Sequence, residues 1–270
     1  MRVSLIITTY NWKEALELSL RSALNQETEP VEIVVADDGS RADTRDVVKK
    51  IAAVSSIPII HSWQKDKGFR LARSRNRAIV RAKGEYIILI DGDIILERHF
   101  LRDHCKFARA GYFVQGTRVL LKQELSVRVL AQGGLSASVC TSGVENRKNC
   151  LRSDVLARLF SFKSNKLRGI KTCNFSFWRE DAIAINGFNE EFVGWGREDS
   201  EFTARLMNCG IRRQNVKFNA LGYHLFHPKN DRNRLAANDR ILQQTIEQKL
   251  RWCEKGIDKY LGIQRFDRKA

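Results

Sequence analysis

The chain has 270 residues, enough for one large domain or two small ones with a substantial core. Its 47 Lys and Arg against 31 Asp and Glu give a formal net charge of +16, which predicts attraction to a polyanion such as nucleic acid, an anionic membrane surface or a phosphorylated glycan. No apolar stretch approaches the roughly 18 residues that a membrane-spanning helix needs, so any membrane contact is expected to be peripheral.

The six cysteines are widely spaced, without the close pairs typical of a zinc site. No secretory segment precedes the first apolar run. We therefore expect reduced thiols and a cytoplasmic protein, lying peripherally at the inner face of the cytoplasmic membrane.

Strands and helices alternate over the first 93 residues. Apolar runs predict strands at 3–8, 31–36, 57–62 and 86–90. Apolar side chains at helical spacing predict helices between them, at 16–24, from about 44 to 51, and at 71–82. This alternation predicts a parallel, doubly wound sheet flanked by helices.

After residue 93 the alternation ends. We predict a helix near 99–110, strands near 113–121 and 172–178, a short helix around Asp181, a helix at 198–208, a strand leading to 223–224 and an amphipathic helix over 239–261. The polar stretch 131–169 has no assignment and is expected to be a lid or binding loop. The predicted units are a catalytic domain at 1–230, with a nucleotide-binding half at 1–93 and an acceptor and metal half at 94–230, and a C-terminal amphipathic helical extension at 231–270.

An acidic triplet follows the most apolar strand. Asp91, Gly92 and Asp93 come where the run 86–90 ends, at the carboxyl edge of the predicted sheet, where open α/β folds bind ligands. Carboxylate oxygens suit Mg²⁺ or Mn²⁺, and His224, after a later strand, could complete the shell. An ordinary acidic turn is the alternative interpretation.

The same edge gathers residues suited to a nucleotide. Thr8 and Tyr10 end the first strand, and Asp37 and Asp38 end the second. A carboxylate can accept the N–H of a base such as uracil, and an aromatic ring can stack on it. Alternatively, both aspartates cap the next helix.

An arginine-rich helix start at 70–77 could meet a diphosphate, although a solvated basic face is the alternative. The chain lacks the glycine fingerprint of a dinucleotide fold and the Gly-Lys-Ser/Thr of a phosphate loop. Hydride transfer and ATP hydrolysis are therefore not expected.

A third group suits a sugar. Gly194 and Gly196 flank Trp195, which would allow close approach of a flat ligand such as a sugar ring. Glu198 and Asp199 follow at a predicted helix start, where two carboxylates can divide hydrogen bonding and proton abstraction. Taken singly, these features are more typical of core aromatics and a capped helix than of a sugar site.

Together the motifs resemble the family 2 glycosyltransferases of the GT-A fold, through 8–11, 37–40 and 91–93. The second half is similar to the galactosyltransferase-type C-terminal module of β-1,4-galactosyltransferases, bacterial chondroitin polymerases and polypeptide N-acetylgalactosaminyltransferases, through 174–177, 187–188, 194–199 and His224. The resemblance covers roughly residues 2–228. It implies a mixed, mostly parallel, Rossmann-like nucleotide-sugar-binding sheet flanked by helices, followed by the helical extension.

The resemblance also implies roles for single residues. The uridine of a UDP-sugar would be held by Thr8, Tyr10, Asp38 and Arg70, with Asp91 near the ribose and sugar. The ligands of Mn²⁺ or Mg²⁺ would be Asp93 and His224, with His227 as the alternative histidine. Glu198 would bind sugar hydroxyls, Asp199 would be the general base, and the donor and acceptor sugars would lie against Trp195, Gly196 and Arg197.

The expected activity is metal-dependent, inverting transfer of a hexose or N-acetylhexosamine from a UDP-sugar to a hydroxyl of a cell-surface glycan. The acceptor expected first is lipopolysaccharide or lipooligosaccharide core, and capsule or a lipid-linked glycan second. A retaining transferase or nucleotide-sugar phosphorylase and a non-catalytic glycan- or nucleic-acid-binding module are the alternatives, and no nucleic acid partner is expected. Arg197 stands where many relatives carry a small residue, so the donor sugar stays open.

Overall fold

The computed structural model describes residues 1–135, 137–228 and 231–262. Its strands are β1 Val3–Thr9, β2 Glu32–Asp37, β3 Ile59–Trp63, β4 Tyr86–Asp91, β5 Ile94–Leu96, β6 Tyr112–Gln115, β7 Arg118–Leu121, β8 Val144–Glu145, β9 Phe162–Ser164, β10 Asn174–Trp178, β11 Arg212–Asn215 and β12 Gly222–His224. Its helices are α1 Lys13–Leu24, α2 Ala42–Ala52, α3 Leu71–Arg81, α4 Phe100–Phe107, α5 Gln123–Gln132, α6 Asp154–Phe160, α7 Arg179–Ala184, α8 Glu198–Asn208, α9 Leu235–Glu247 and α10 Asp258–Leu261.

Eight strands form one mixed sheet in the order β3-β2-β1-β4-β10-β6-β11-β9. The first four are parallel, β10 runs antiparallel to both of its neighbours, and β9 is antiparallel to β11. Apolar side chains on the two faces form two buried clusters, each covered by helices. The predicted mixed, mostly parallel sheet flanked by helices is confirmed.

The register of the sheet assembles the polar strand ends. Thr8 pairs with Asp91 across β1 and β4, and Thr9 pairs with Asp37 across β1 and β2. Leu5 and Ile7 of β1 pack in one apolar cluster and Ile6 in the other, so a slip of one residue would exchange the side chains that pack on the two faces. The core therefore fixes which polar residues meet at this edge.

A second sheet, in the order β5-β12-β7-β8, lies beyond the first. Its strand β12 runs antiparallel to β5 and places His224 opposite Ile94. The backbone N–H of Leu225 donates to the carbonyl of Asp93 at 3.0 Å. This pairing brings a residue from far along the chain to the acidic triplet.

The single strand predicted at 113–121 is two strands in different sheets, β6 and β7. The break falls at Gly116, where a Cβ atom would lie 2.1 Å from the Asn174 Oδ1 atom. Asn174 Nδ2 also donates to the carbonyl of Thr117 at 2.6 Å. The chain therefore leaves the large sheet at Gly116, next to Asn174 of the neighbouring strand β10.

The unassigned stretch 131–169 contains β8, a 3₁₀ turn at Arg147–Cys150, α6 and β9 among its described residues. Ser153 caps α6, accepting from the Leu156 N–H at 3.3 Å. α5, which precedes this stretch, was not predicted.

The amphipathic helix predicted at 239–261 is α9 and α10, separated by an irregular segment. α9 ends where Lys249 adopts a positive φ of 49° and the N–H of Leu250 donates back to the Thr245 carbonyl at 3.1 Å. Ile257 is then fully buried against the large sheet's helices, and residues 263–270 lie outside the described part. Among the described residues, none of the helices combines the length and apolar character needed to cross a bilayer.

Candidate active site

A cleft of about 1090 Å³ opens at the carboxyl edge of β1 and β4. It gathers every site residue predicted from the sequence except Arg70: Thr8, Tyr10, Asp38, Asp91, Asp93, Trp195, Gly196, Arg197, Glu198, Asp199, His224 and His227. The two halves of the chain thus contribute to one cavity.

The two neighbouring aspartates after β2 have different environments. Asp37 is fully buried and accepts from the N–H groups of Gly39 and Ser40, at 3.1 and 2.7 Å, and its other oxygen lies 2.8 Å from His61 Nε2. Asp38 lines the cleft, and its pKa is raised by burial. Asp37 therefore shapes the turn, while Asp38 faces the space in which a ligand can bind.

Arg70 reaches this region through its backbone. Its N–H donates to Asp38 Oδ2 at 2.7 Å, whereas its guanidinium donates to the carbonyl of Lys65. The side chain does not line the cleft, in contrast to the sequence-based expectation of a direct nucleotide contact. Arg70 is the residue before α3, and its backbone is not helical. Its side chain therefore points toward the preceding segment, where Lys65 lies.

Tyr10 is half exposed at the rim of the cleft, where its hydroxyl donates to Asp66 Oδ2 at 3.0 Å. Thr8 Oγ1 donates to Asp91 Oδ1 at 2.9 Å. One side of the cleft therefore offers an exposed aromatic ring and a carboxylate held in place by a buried hydroxyl.

Asp93, His224 and His227 form a group able to hold a cation. Their ligand atoms all lie within 4.8 Å of one another, and each histidine Nε2 is 3.5 Å from one oxygen of Asp93. Burial and repulsion by Asp91 raise the pKa of Asp93, and burial with the Arg118 charge lowers the pKa of His224.

The donor set fits a divalent cation. Asp93 Oδ1 is buried without a hydrogen-bond partner, so a carboxylate oxygen is free to ligate. His227 Nδ1 lies 2.7 Å from the Pro228 carbonyl, which fixes the proton on Nδ1 and leaves the Nε2 lone pair facing Asp93. The sequence offered the two histidines as alternatives, and the structure brings both to the aspartate.

Two carboxylates begin α8 on the opposite wall. Glu198 is buried and accepts from Arg75 Nη1 at 3.2 Å, while Asp199 accepts from the Ser200 N–H at 2.7 Å. Burial and the charge of Glu198 raise the pKa of Asp199, partly offset by Arg75. Asp199 is therefore a better proton acceptor near neutral pH than an ordinary carboxylate.

The loop before α8 has unusual backbone dihedral angles. Gly194, Gly196 and Arg197 all have positive φ, at 78°, 105° and 76°. Arg197, which lines the cleft, pairs with Asp239 of α9, Nε to Oδ1 at 2.5 Å. Strain at a non-glycine residue of this kind clusters at ligand-binding sites.

Four further cations line the cleft without having been assigned a site role: Arg75, Arg118, Lys171 and Arg232. Arg75 of α3 bridges Glu198 and Asp91, with Nη2 3.4 Å from Asp91 Oδ1. Arg118 begins β7, and Lys171 precedes β10. Arg75 lies in the arginine-rich helix start at 70–77, whereas no local motif marks Arg118, which reaches the cavity through the split between β6 and β7.

Two family models match this chain. Glycosyl transferase family 2 matches residues 4–172, more than half of the sequence, and the N-terminal domain of galactosyltransferase matches residues 154–228. The second match includes α8, which begins with Glu198 and Asp199, and β12, which carries His224.

Chondroitin synthase from Escherichia coli is 27% identical over 267 residues, covering 92% of this chain and 38% of the relative. The Escherichia coli glucosyltransferase WfaP, named for GlcNAc-diphosphoundecaprenol, is 33% identical over 121 residues, covering 42% of this chain and 47% of the relative. The chain thus spans less than half the length of either relative.

A solved structure of GalNAc-T7 with UDP, GalNAc and Mn²⁺ shares the fold with a TM-score of 0.63 at 14% identity, covering 85% of this chain and 44% of that one. At that identity the likeness supports the fold alone. The extent of the family match decides the classification: this chain belongs to glycosyl transferase family 2, and it is a glycosyltransferase with a GT-A fold.

Proposed function

We propose that this enzyme transfers a hexose or N-acetylhexosamine from a UDP-sugar to a hydroxyl of a cell-surface glycan, with inversion at the anomeric carbon. The observation that carries the proposal is one cleft in which the cation-binding group on Asp93 faces the carboxylates that begin α8. A nucleotide pocket, a cation group and a proton acceptor are the parts that such a transfer requires.

The donor's uridine would bind between Tyr10 and Asp38, with Arg70 holding Asp38 through its backbone and Thr8 holding Asp91. Asp91 would lie beside the ribose and sugar. The structural neighbour named for UDP supports this donor class.

Asp93, His224 and His227 would hold Mn²⁺ or Mg²⁺, as in the neighbour named for Mn²⁺. When bound, such a cation neutralises the charge that develops on the departing diphosphate. A metal-stabilised leaving group needs no histidine acid.

Asp199 would take the proton from the acceptor hydroxyl as that oxygen forms a bond to the anomeric carbon and the bond to UDP breaks. Glu198, oriented by Arg75, would accept hydrogen bonds from sugar hydroxyls. Trp195 and Gly196 would support the sugar rings, and Arg197, through its pair with Asp239, would hold their loop against α9.

For the acceptor, the order expected from charge alone is lipopolysaccharide or lipooligosaccharide core, then capsule or lipid-linked glycan. The names of the relatives, a chondroitin synthase and a transferase named for an undecaprenol diphosphate, support the second choice. An acceptor that carries phosphate or carboxylate groups would complement the net charge of +16.

The membrane contact would involve an apolar patch around α6 and β9. Val155, Leu159, Phe160 and Phe162 are between 51% and 71% exposed, with basic side chains such as Lys163 among them. Exposed apolar side chains with interspersed basic residues fit an anionic lipid surface. The unpaired state of all six cysteines supports the cytoplasmic face.

The test is a screen of UDP-sugars for Mn²⁺-dependent release of UDP, with and without a chelator. At least one donor should be turned over with cation and not without it. Failure of every donor to bind or react would overturn the proposal.

A further inference from the structure

A second cavity of about 230 Å³ adjoins the cleft and shares Arg118, Lys171 and Cys173 with it. It is smaller than the roughly 300–1,000 Å³ typical of pockets for drug-sized ligands. The cavity is therefore suited to one charged group rather than to an oligosaccharide.

The lining of this cavity is basic. Arg118, Lys171, Arg213 and Lys217 contribute to it, together with several amides, and it contains neither Asp nor Glu. Arg213 is only 8% exposed, and its Nε is buried without a hydrogen-bond partner. A buried unpartnered donor is costly unless something binds there.

Arg118 and Lys171 differ from Arg75 and Arg197, the two cleft arginines with carboxylate partners, while Arg232 lies over the Trp195 ring at 5.0 Å. Arg75 is paired with Asp91 and Glu198, and Arg197 with Asp239. Over the described ranges 1–135, 137–228 and 231–262, neither Arg118 nor Lys171 has a carboxylate within 4.0 Å. Their charges are thus free for a ligand.

The backbone holds both cations in place. The Lys171 N–H donates to Gln115 Oε1 at 3.0 Å, and Gln115 Nε2 donates to the Lys171 carbonyl at 2.8 Å. Asn149 Nδ2 donates to the Arg118 carbonyl at 2.7 Å. Burial and the positive charge of Arg118 both lower the pKa of Lys171. The two like charges therefore lie near each other. An anion between them would relieve that repulsion.

Lys171 and Asp199 both line the large cleft. We propose that Arg118 and Lys171, with the small cavity behind them, bind a carboxylate or phosphate carried by the acceptor sugar next to the hydroxyl that reacts. The inference rests on the proposed function, because it assumes that the acceptor approaches Asp199. It makes a charged sugar, not a neutral one, the preferred acceptor.

The test measures binding of methyl β-glucuronide, glucose 6-phosphate and methyl β-glucoside to the chain saturated with UDP and Mn²⁺, by calorimetry. The charged sugars should bind at least about tenfold more tightly than the glucoside, as expected for a charge-assisted contact. The two charged probes distinguish a carboxylate from a phosphate as the preferred group.

Lys171→Met and Arg118→Met should abolish this preference and leave UDP affinity nearly unchanged, whereas the exposed control Lys50→Met should retain it. The variants should fold, because Lys171 is exposed and the Arg118 side chain is bonded only weakly, to Cys173 Sγ at 3.6 Å. Melting curves check this.

Equal affinity for charged and neutral sugars would overturn the inference. So would a parallel loss of UDP affinity in both variants, which would assign the two cations to the donor diphosphate. An absence of UDP and Mn²⁺ binding by the unmodified chain would instead overturn the proposed function, and the inference with it.

Discussion

At the scale of single residues, the proton acceptor can be tested by an isosteric change. Asp199→Asn keeps size and hydrogen bonding but cannot accept a proton, so transfer should fall by at least ~10²-fold with UDP affinity nearly unaltered. Asp181→Asn is the matched control, since burial raises the pKa of that carboxyl to about 6 although it lies on α7, outside the cleft. Retained configuration in the product would contradict the inverting mechanism.

The raised pKa of Asp199 sets a pH dependence. Below its pKa the carboxyl is protonated and cannot act as a base, so kcat/KM should rise with pH and level off above that pKa. Because burial and Glu198 raise the pKa, the rise should lie above the ordinary value of about 3.9. A rate that is flat from the ordinary carboxyl range to neutrality would count against this assignment.

Asp93 should couple cation binding to stability. Its folded pKa is raised, so the cation-free chain loses stability as pH rises from the unfolded pKa toward the folded one. Asp93→Asn should therefore raise the melting temperature in chelator at neutral pH and abolish the further rise caused by Mn²⁺. Asp181→Asn should keep the Mn²⁺ effect, and a normal Mn²⁺ effect in Asp93→Asn would remove this residue from the cation group.

At the scale of elements, Arg75 links α3, β4 and α8. Arg75→Met would leave Glu198 buried without its partner, which should lower the free energy of unfolding by about 3 kcal/mol, the low end for a broken buried pair because the cleft is open to water. Adding Glu198→Gln to this variant should restore part of the lost free energy of unfolding, as measured by denaturant titration. A single variant as stable as the unmodified chain would show that the bridge does not hold the helices together.

The first four strands and three helices could be predicted because β1, β2 and β4 are buried along nearly their whole length and the helices have one apolar face. Elements that depend on distant partners could not. β6 and β7 read as one apolar run, and only Asn174 of β10 reveals the break at Gly116.

The residues of the candidate site also divide into those that the local sequence predicts and those that depend on distant parts of the chain. Asp91 and Asp93 could be predicted because a buried strand must end at a sheet edge. The meeting of Arg118 with Lys171 could not, because nothing in the local sequence shows that β7 and the start of β10 come together behind the cleft. That both His224 and His227 reach Asp93, rather than one of them, likewise required the geometry of the chain around Pro228.

At the scale of the whole molecule, the C-terminal charges are less available than the sequence suggested. Lys255 pairs with Glu191 at 3.1 Å and Lys259 with Glu190 at 2.6 Å. Arg251 is exposed, and three further basic residues of the tail, Arg265, Arg268 and Lys269, lie outside the described residues. Because Ile257 is fully buried, deleting the chain after Leu250 would disturb the core and could not isolate a membrane contact.

The apolar patch offers a cleaner test of membrane binding. Leu159→Ser with Phe160→Ser should weaken binding to phosphatidylglycerol vesicles by more than about tenfold, since each buried apolar side chain contributes roughly 1.5–3 kcal/mol. Val54→Ser is the control, because Val54 is 85% exposed but follows α2, at the end of the sheet opposite β9. Binding should weaken with salt, as basic residues contribute about 1 kcal/mol each near an anionic surface. Unchanged vesicle binding in the double variant, with an altered oligomeric state by light scattering, would assign the patch to a second copy of the chain instead.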